Sequence, residues 1–339
     1  MVRFAVVGIN HNHIYGMTDT LLAAGAELAV FHAPEADLAA EFVRRYPNTP
    51  RAAQLQSVLD DESIQLVASA SISSERGPLG IDVMRHGKDF LSDKPAFTDL
   101  GVLEEARRAQ RESHRIYGVS YSERVSNRAM VRAAELVQSG AIGKPLQTVG
   151  LGPHRLNRGT RPAWFFDKAR YGGIITDIGA HQADHFLHFT GSTSASVVCA
   201  QVGNLAHPDD PGLEDFGDAV LRGDGGTGYF RVDWFTSDGL AAWGDGRFTV
   251  LGTDGFIEVR KNLDTSGLAG SSLFLADQKG QRYVDCSDVD LPYGRQLLAD
   301  IRDRTETAMP QAQAFLAAEL ALRAELQAKI ITRTPQNVG

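Results

Sequence analysis

The stretch Phe4-Ala5-Val6-Val7-Gly8-Ile9-Asn10-His11-Asn12-His13 decides the fold. Four apolar residues read as a buried strand, a glycine follows at once, and a helical pattern takes over further on. Strand, glycine turn and helix in that order form the phosphate loop of a dinucleotide-binding fold, where the turn and the helix N-terminus receive a pyrophosphate. Only the first glycine of the usual G-x-G-x-x-G is present. Asn10 can adopt the positive φ that the second glycine normally supplies. His13 stands where a small residue permits close helix–strand packing, unless a longer loop gives that role to Gly16. Gly8, Ile9, Asn10 and His11 are therefore the candidate cofactor contacts. A strand-to-helix turn without a ligand is the competing reading of these residues alone, with His11 and His13 as caps.

Outward from this turn, short β-branched runs alternate with helical patterns as far as residue 120. Leu28–Phe31, Ile64–Ala70, Phe90–Leu91 and Ile116–Val119 read as strands. Between them, helices are expected over Thr18–Ala24 closed by Gly25, from Pro34 with Leu38 and Phe42 on one face, up to Gly87, and over Leu103–Ala109. Such alternation implies a parallel, doubly wound sheet. The second strand ends at Phe31-His32-Ala33, where an acidic residue would normally bond a ribose hydroxyl. Glu35 is placed one turn into the next helix, so the sequence leaves NAD and NADP both open.

After residue 120 the pattern changes. A helix over Asn127–Ser139 ends at Gly140, and longer alternating runs follow, Ala195–Val202 and Asp218–Phe235 among them. Asp224-Gly225-Gly226 and Asp254-Gly255 read as hairpin turns, which predicts an antiparallel sheet. Phe315, Leu316, Leu320, Leu322, Leu326 and Ile330 form the apolar stripe of a C-terminal helix over about 311–330. With no repeat, low-complexity linker or charge block, the two parts are expected to be tightly joined.

At 339 residues with 43% hydrophobic composition the chain fits two domains with real cores. The net charge of −8 and the absence of any Lys/Arg run argue against nucleic acid as a partner. The apolar run at Met1–Gly8 is too short for a signal segment, and no stretch has the length of a membrane span. Cys199 and Cys286, one in a strand and one in a loop, imply neither a disulfide framework nor a zinc site. A cytoplasmic protein with a small-molecule substrate and no membrane partner is expected.

Two further segments carry chemistry. In Thr176-Asp177-Ile178-Gly179-Ala180-His181-Gln182-Ala183-Asp184-His185, a carboxylate and an imidazole stand four residues apart in an apolar context. On a helix that spacing puts Asp177 and His181 on one face, which suits proton abstraction from an alcohol. In Leu91-Ser92-Asp93-Lys94-Pro95, a lysine at the C-terminal edge of a parallel strand can stabilise developing alkoxide charge. Asp177, His181, Asp184 and His185 could also ligate a metal. However, Asp184 and His185 lie about 100° apart around a helix, no third anchored ligand is evident, and the expected metal is none.

These motifs together resemble the Gfo/Idh/MocA family of NAD(P)-dependent oxidoreductases over nearly the whole length. The family's Glu-Lys-Pro appears as Asp93-Lys94-Pro95 after Gly87-Lys88, and its Asp-x-Gly-x-His-x-x-Asp appears as Asp177, Gly179, His181 and Asp184 after Gly172-Gly173. The Thr-Pro-Asn loop over the cofactor is replaced by Ser71-Ile72-Ser73, with Arg76 where a histidine is common. Glu214-Asp215 before a long hairpin and Pro292-Tyr293-Gly294 also fit. The resemblance implies NAD or NADP as cofactor, held by Gly8, Ile9, Asn10, His11, His32, Ser71, Ser73, Arg76, Asp93 and Lys94. It implies catalysis by Lys94, Asp177 and His181, and a substrate approached by Tyr121, His154, Arg155 and Trp164. It also implies a homodimer or homotetramer formed through the second sheet.

The expected architecture is α/β: a Rossmann domain over 1–120 and, over 121–339, an α+β domain with an open, mostly antiparallel sheet and the active site at the junction. The expected reaction is hydride transfer between nicotinamide and a secondary alcohol of a sugar, cyclitol or related polyol. Arg155, Arg158 and Arg161 with His154, just ahead of Trp164, favour an acidic one. Two alternatives are a cofactor-retaining lyase or glycosidase working by transient oxidation, and a non-catalytic sensor on the same fold.

Overall fold

A computed structural model describes residues 1–332. The chain opens with β1 (Arg3–Val7), α1 (His13–Ala23), β2 (Glu27–His32), α2 (Ala36–Arg45), α3 (Leu55–Leu59), β3 (Leu66–Ser69), α4 (Ser73–Arg85), β4 (Asp89–Asp93), α5 (Leu100–Ser113) and β5 (Tyr117–Ser120). It continues with α6 (Ser122–Val125), α7 (Arg128–Gln138), β6 (Pro145–Pro153), α8 (Lys168–Tyr171), a π-helical turn over Ile175–Gly179, α9 (Ala180–Thr190), β7 (Ala195–Gly203), β8 (Phe216–Gly223) and β9 (Thr227–Asp233). Then come β10 (Arg247–Gly252), β11 (Phe256–Arg260), β12 (Ser272–Asp277), β13 (Gly280–Val284), α10 (Tyr293–Asp303), α11 (Gln311–Gln327) and β14 (Lys329–Ile330).

The chain divides into two compact units, Met1–Tyr121 with Leu291–Phe315, and Ser122–Asp290 with the segment from Leu316 onward. Leu291–Phe315, assigned by sequence to the second domain, thus belongs with the first. The reason is packing: Gly294 lies against Thr20 and Ala24, Gln311 accepts a hydrogen bond from the Tyr117 backbone at 2.8 Å, and Arg304 pairs with the buried Asp89.

In the first unit five parallel strands run in the order β2-β1-β3-β4-β5. The order reverses between β1 and β3, and ligands of open α/β sheets bind outside the strands' carboxyl ends at such a point. Strands β1, β3, β4 and β5 are buried almost throughout because helices cover such sheets on both faces, whereas the edge strand β2 is half-buried everywhere but at Phe31. Two local expectations shift. Helix α1 begins at His13 rather than Thr18, and Gly16 faces open space, so it takes no part in close packing. Helix α2 begins at Ala36, with Glu35 as its extended N-cap.

In the second unit nine strands run in the order β13-β12-β11-β10-β6-β9-β8-β7-β14. The pairs are antiparallel except β6–β9 and β14–β7. Alternate residues such as Phe248, Val250, Ile257, Val259, Leu273 and Leu275 point into a core shared with Ala129, Met130 and Ala133 of α7 and with Phe189 of α9. The expected hairpins at Asp224–Gly226 and Asp254–Gly255 join β8 to β9 and β10 to β11. The last helix ends at Gln327 instead of about 330. Leu326 and Ile330 are exposed, and Ile330 lies in β14 beside β7, so these two fall outside the buried stripe of Phe315, Leu320 and Leu322.

Candidate active site

In the first unit, Gly8 sits where β1 leaves the sheet. Its N–H donates to the His32 carbonyl at 3.0 Å and its carbonyl accepts from Ala70 at 3.0 Å. Its φ is +75° and a Cβ would lie 2.5 Å from that of Ser71, so glycine is required twice over. Asn12, the N-cap of α1, makes no side-chain capping bond and the first turn carries no acid, but His11 Nδ1 takes the His13 N–H at 3.3 Å and the His11 and Asn12 carbonyls take those of Ile14 and Tyr15, so what the helix start offers an anion is its dipole. Beside the loop, the Asn10 amide donates to Glu35 Oε1 at 2.8 Å, while Glu35 Oε2 is buried with no protein partner. Glu35 stands just after the end of β2 as the extended N-cap of α2 and not inside that helix, because α2 starts later than its proline suggested. His32 bonds the Ala52 carbonyl through Nδ1 at 3.1 Å.

Lys94 follows β4 on a buried polar frame. Asp93, 1% exposed, accepts from the Lys94 backbone at 2.8 Å. Arg76 donates to the carbonyls of Ser71 (2.7 Å), Lys94 (2.5 Å) and Pro95 (3.1 Å), and its remaining terminal nitrogen stands 3.2 Å from Asp93. Fully interior, Arg76, expected from sequence to reach the cofactor, fastens the loop after β3 to the turn that carries Lys94. Ser71 and Ser73 are likewise buried. His13 Nδ1 lies 2.9 Å from Asp93 Oδ1, and His11 Nδ1 3.6 Å from Oδ2. Burial alone would raise the Asp93 carboxyl, but the charges of His13 and Arg76 outweigh it and hold the group well below the usual carboxylate range. Burial, with His13 next, holds His11 well below an ordinary imidazole, consistent with His11 Nδ1 accepting from the His13 backbone at 3.3 Å. Ligand atoms of His11, His13 and Asp93 lie within 4.8 Å of one another, a grouping the sequence did not suggest, yet Arg76 already pairs with that carboxylate.

In the second unit, Asp177 lies in the π-helical turn and His181 in the first turn of α9. The sequence predicted a plain α-helix here; the wider turn is a feature common at functional sites. Two carboxylates cap it. Glu214 accepts from the Ile174 N–H at 3.0 Å and Glu325 from the Ile175 N–H at 3.0 Å, and Lys168 pairs with both. Gly173, at φ +98°, leaves room for Glu325, whose carboxyl carbon a Cβ there would approach to 2.3 Å. Burial, and then Glu214, pushes the Glu325 carboxyl up to about 8. Asp177 and His181 are both buried.

Of the other members of the motif, Asp184 is claimed by the protein itself. Asp184 forms a buried two-pronged pair with Arg124 of α6, Nε–Oδ2 2.6 Å and Nη2–Oδ1 3.0 Å. His185 is wholly buried against Phe248, with both ring nitrogens unmatched by protein, and burial pulls its pKa well down. Near His181 the fold adds Glu123, ion-paired with the buried Lys261 and 3.8 Å from His154 Nε2. Burial would raise the Glu123 carboxyl, but Lys261 and then His181 hold it well below its ordinary value. No local sequence signal marks this cluster, since its members lie far apart in the chain.

The substrate candidates separate. Tyr121 is fully buried in the first unit, its hydroxyl 3.4 Å from the Ala314 carbonyl. Arg155 donates to the carbonyls of Ser237 (2.8 Å), Leu240 (2.8 Å) and Ala242 (3.1 Å), so it ties a loop together. Arg158 makes a two-pronged pair with Asp210 at 2.6 and 2.9 Å. Trp164 is buried against Phe165, whereas His154 packs on Trp243 at 4.5 Å. Arg161 lies over Phe165 and Trp234.

Comparison with known proteins agrees with these two units. Residues 2–121 match the family model described as "Oxidoreductase family, NAD-binding Rossmann fold", and residues 130–258 match "GFO/IDH/MocA C-terminal domain". A crystal structure of a protein from Erwinia carotovora atroseptica SCRI1043, described as an oxidoreductase, is 45% identical, with a TM-score of 0.95 over 98% of this chain and 100% of that one. The scyllo-inositol 2-dehydrogenase (NAD(+)) of Bacillus subtilis (strain 168) is 26% identical over 76% of this chain and 73% of its own. Levoglucosan dehydrogenase, in a complex with NADH and levoglucosan, shares the fold at 17% identity, with a TM-score of 0.80 over 96% of this chain and 98% of that one.

Proposed function

Because the chain belongs to the Gfo/Idh/MocA family of NAD(P)-dependent oxidoreductases, we propose that it interconverts a secondary alcohol and a ketone on a sugar, cyclitol or related polyol. Curated relatives that act on scyllo-inositol, levoglucosan and D-xylose support a polyhydroxylated substrate. The observation that carries the reading is Lys94, held by its own backbone on the Asp93–Arg76 frame, together with Asp177 and His181 on a turn capped by carboxylates.

The first unit's residues fit a dinucleotide. The positive end of the α1 dipole, with no acid in its first turn, suits a pyrophosphate, and the orphaned Glu35 Oε2 suits an adenosine ribose hydroxyl. The same carboxylate would repel a 2′-phosphate, which favours NAD over NADP. The bound nicotinamide supplies the hydride acceptor or donor. Lys94 donates a hydrogen bond to the reacting oxygen and stabilises its developing charge. His181 takes the hydroxyl proton in oxidation and returns it in reduction, and Asp177 orients the imidazole or a neighbouring hydroxyl. The outer face of the second sheet carries an aromatic row, Phe256, Phe274 and Tyr283, which supports association with a second copy. The reading places the enzyme in the cytoplasm.

Titration with NAD, NADP and their reduced forms, then a polyol and sugar panel read by nicotinamide absorbance, tests the reading. Lys94→Ala and His181→Ala should each lower kcat at least about a hundredfold with a smaller change in dinucleotide affinity. Folded protein that binds no dinucleotide refutes the proposal, and near-normal turnover by His181→Ala removes its proton role.

A further inference from the structure

We propose that Arg161 selects the substrate, holding a carboxylate on a sugar acid; this rests on the sugar-oxidoreductase reading above. Arg155, Arg158 and Arg161 stand within seven positions of one another, and the fold leaves one of them available. Arg155 is occupied with loop carbonyls and Arg158 with Asp210. Arg161 uses Nε to reach the Leu156 carbonyl at 3.0 Å, which fixes the plane of the guanidinium. Its central carbon lies 4.3 Å from the Phe165 ring centre and 5.0 Å from that of Trp234. Those rings are themselves locked, Phe165 stacking on Tyr171 at 5.8 Å and meeting Trp234 edge-on at 5.3 Å.

Such stacking keeps the cation in place while removing part of its water. Burial lowers the guanidinium pKa and Asp177 offsets this, so the cation lies within electrostatic reach of the carboxylate proposed to serve the reaction. Among the described residues no protein acceptor takes its terminal nitrogens. Trp234, whose ring the guanidinium covers, also has a buried Nε1 without a protein partner. Buried polar groups are normally satisfied, and an orphan beside a cation with open terminal nitrogens marks a place completed by something other than the protein. A rigid guanidinium edge is matched to a planar carboxylate, which it binds by two parallel hydrogen bonds. A phosphate would call on further cations, and Arg155 and Arg158 are engaged elsewhere. The occupant is therefore a uronate or aldonate, with the carboxylate on Arg161 and a hydroxyl towards Asp177.

The test compares D-glucuronate, D-gluconate, D-glucose and D-glucose 6-phosphate as substrates with NAD, in wild type and in Arg161→Gln, Arg161→Lys and Arg158→Gln. Binding is followed in parallel by tryptophan fluorescence. A sugar acid should exceed glucose in kcat/KM by at least about tenfold, with the advantage shrinking in high salt. Arg161→Gln should lower kcat/KM for the acid at least about thirtyfold, as removal of one member of a hydrogen-bonded charge pair does. It should leave glucose within about threefold, by the same reasoning. Arg161→Lys should restore part of the loss, and Arg158→Gln should leave the acid-to-neutral ratio unchanged. Equal use of acid and neutral sugars, preference for the phosphate, or an equal loss for both sugars in Arg161→Gln overturns the proposal. If no sugar is turned over, the sugar-oxidoreductase reading fails. Fluorescence titration then decides on Arg161 alone: acid binding that Arg161→Gln abolishes upholds it, and binding that is absent or indifferent to the substitution overturns it.

Discussion

Asp184→Asn should destabilise the second unit far more than an isosteric change usually does. The carboxylate is fully buried and the Arg124 side chain is 8% exposed, so both ions have left water. Their two bonds, 2.6 and 3.0 Å, compensate that loss and tie the four-residue α6, too short to persist alone, onto α9. The amide keeps the shape but leaves the guanidinium uncompensated, which costs about 3–5 kcal/mol in comparable buried pairs. Replacing both partners by apolar residues, Arg124→Met with Asp184→Leu, removes the desolvation cost as well and should be far milder than the single change. The protein's three tryptophans, Trp164, Trp234 and Trp243, all lie in the second unit, so urea unfolding followed by tryptophan emission reports on this unit. The midpoint for Asp184→Asn should fall by about 1–2 M at the slopes usual for proteins of this kind. A cost below about 1 kcal/mol, or a double variant as unstable as the single, would refute the claim that the pair is buried and mutually dependent.

Other expectations follow from the same geometry. Glu325 is held at a pKa of about 8 against an unperturbed 4.5, so its contribution is fully present below pH 4.5 and is lost as the pH rises towards 8. Wild type should therefore lose urea resistance between about pH 5 and 8.5, and Glu325→Gln, which keeps an acceptor for Ile175, should flatten that slope; an unchanged slope would place the titration elsewhere. Gly8→Ala forces a side chain into φ +75° and against Ser71, so it should lower thermal stability by more than about 1–2 kcal/mol and weaken dinucleotide binding in calorimetry. Glu35→Gln removes the charge that disfavours a 2′-phosphate and should raise NADP affinity relative to NAD; an unchanged ratio would show that Glu35 does not face the ribose.

The sequence by itself determined the elements and their class. Periodicity and turn chemistry are local, so the strand–glycine–helix start, the alternation to residue 120, the hairpins at Asp224–Gly226 and Asp254–Gly255 and the place of Lys94 at the end of a parallel strand are legible in the sequence. The tertiary structure alone decided which charged groups are available, because a guanidinium or carboxylate is claimed by partners that are distant along the chain. Arg76 becomes a clamp through carbonyls some twenty residues away, Asp184 a structural ion through Arg124, and Arg155 a loop tie through carbonyls beyond Ser237. Glu35 lies at the N-cap and not in the helix interior, where its extended backbone (φ −72°, ψ 122°) leaves the side chain to meet Asn10. Sequence spacing cannot register such competition for partners; only the folded chain brings the competitors together.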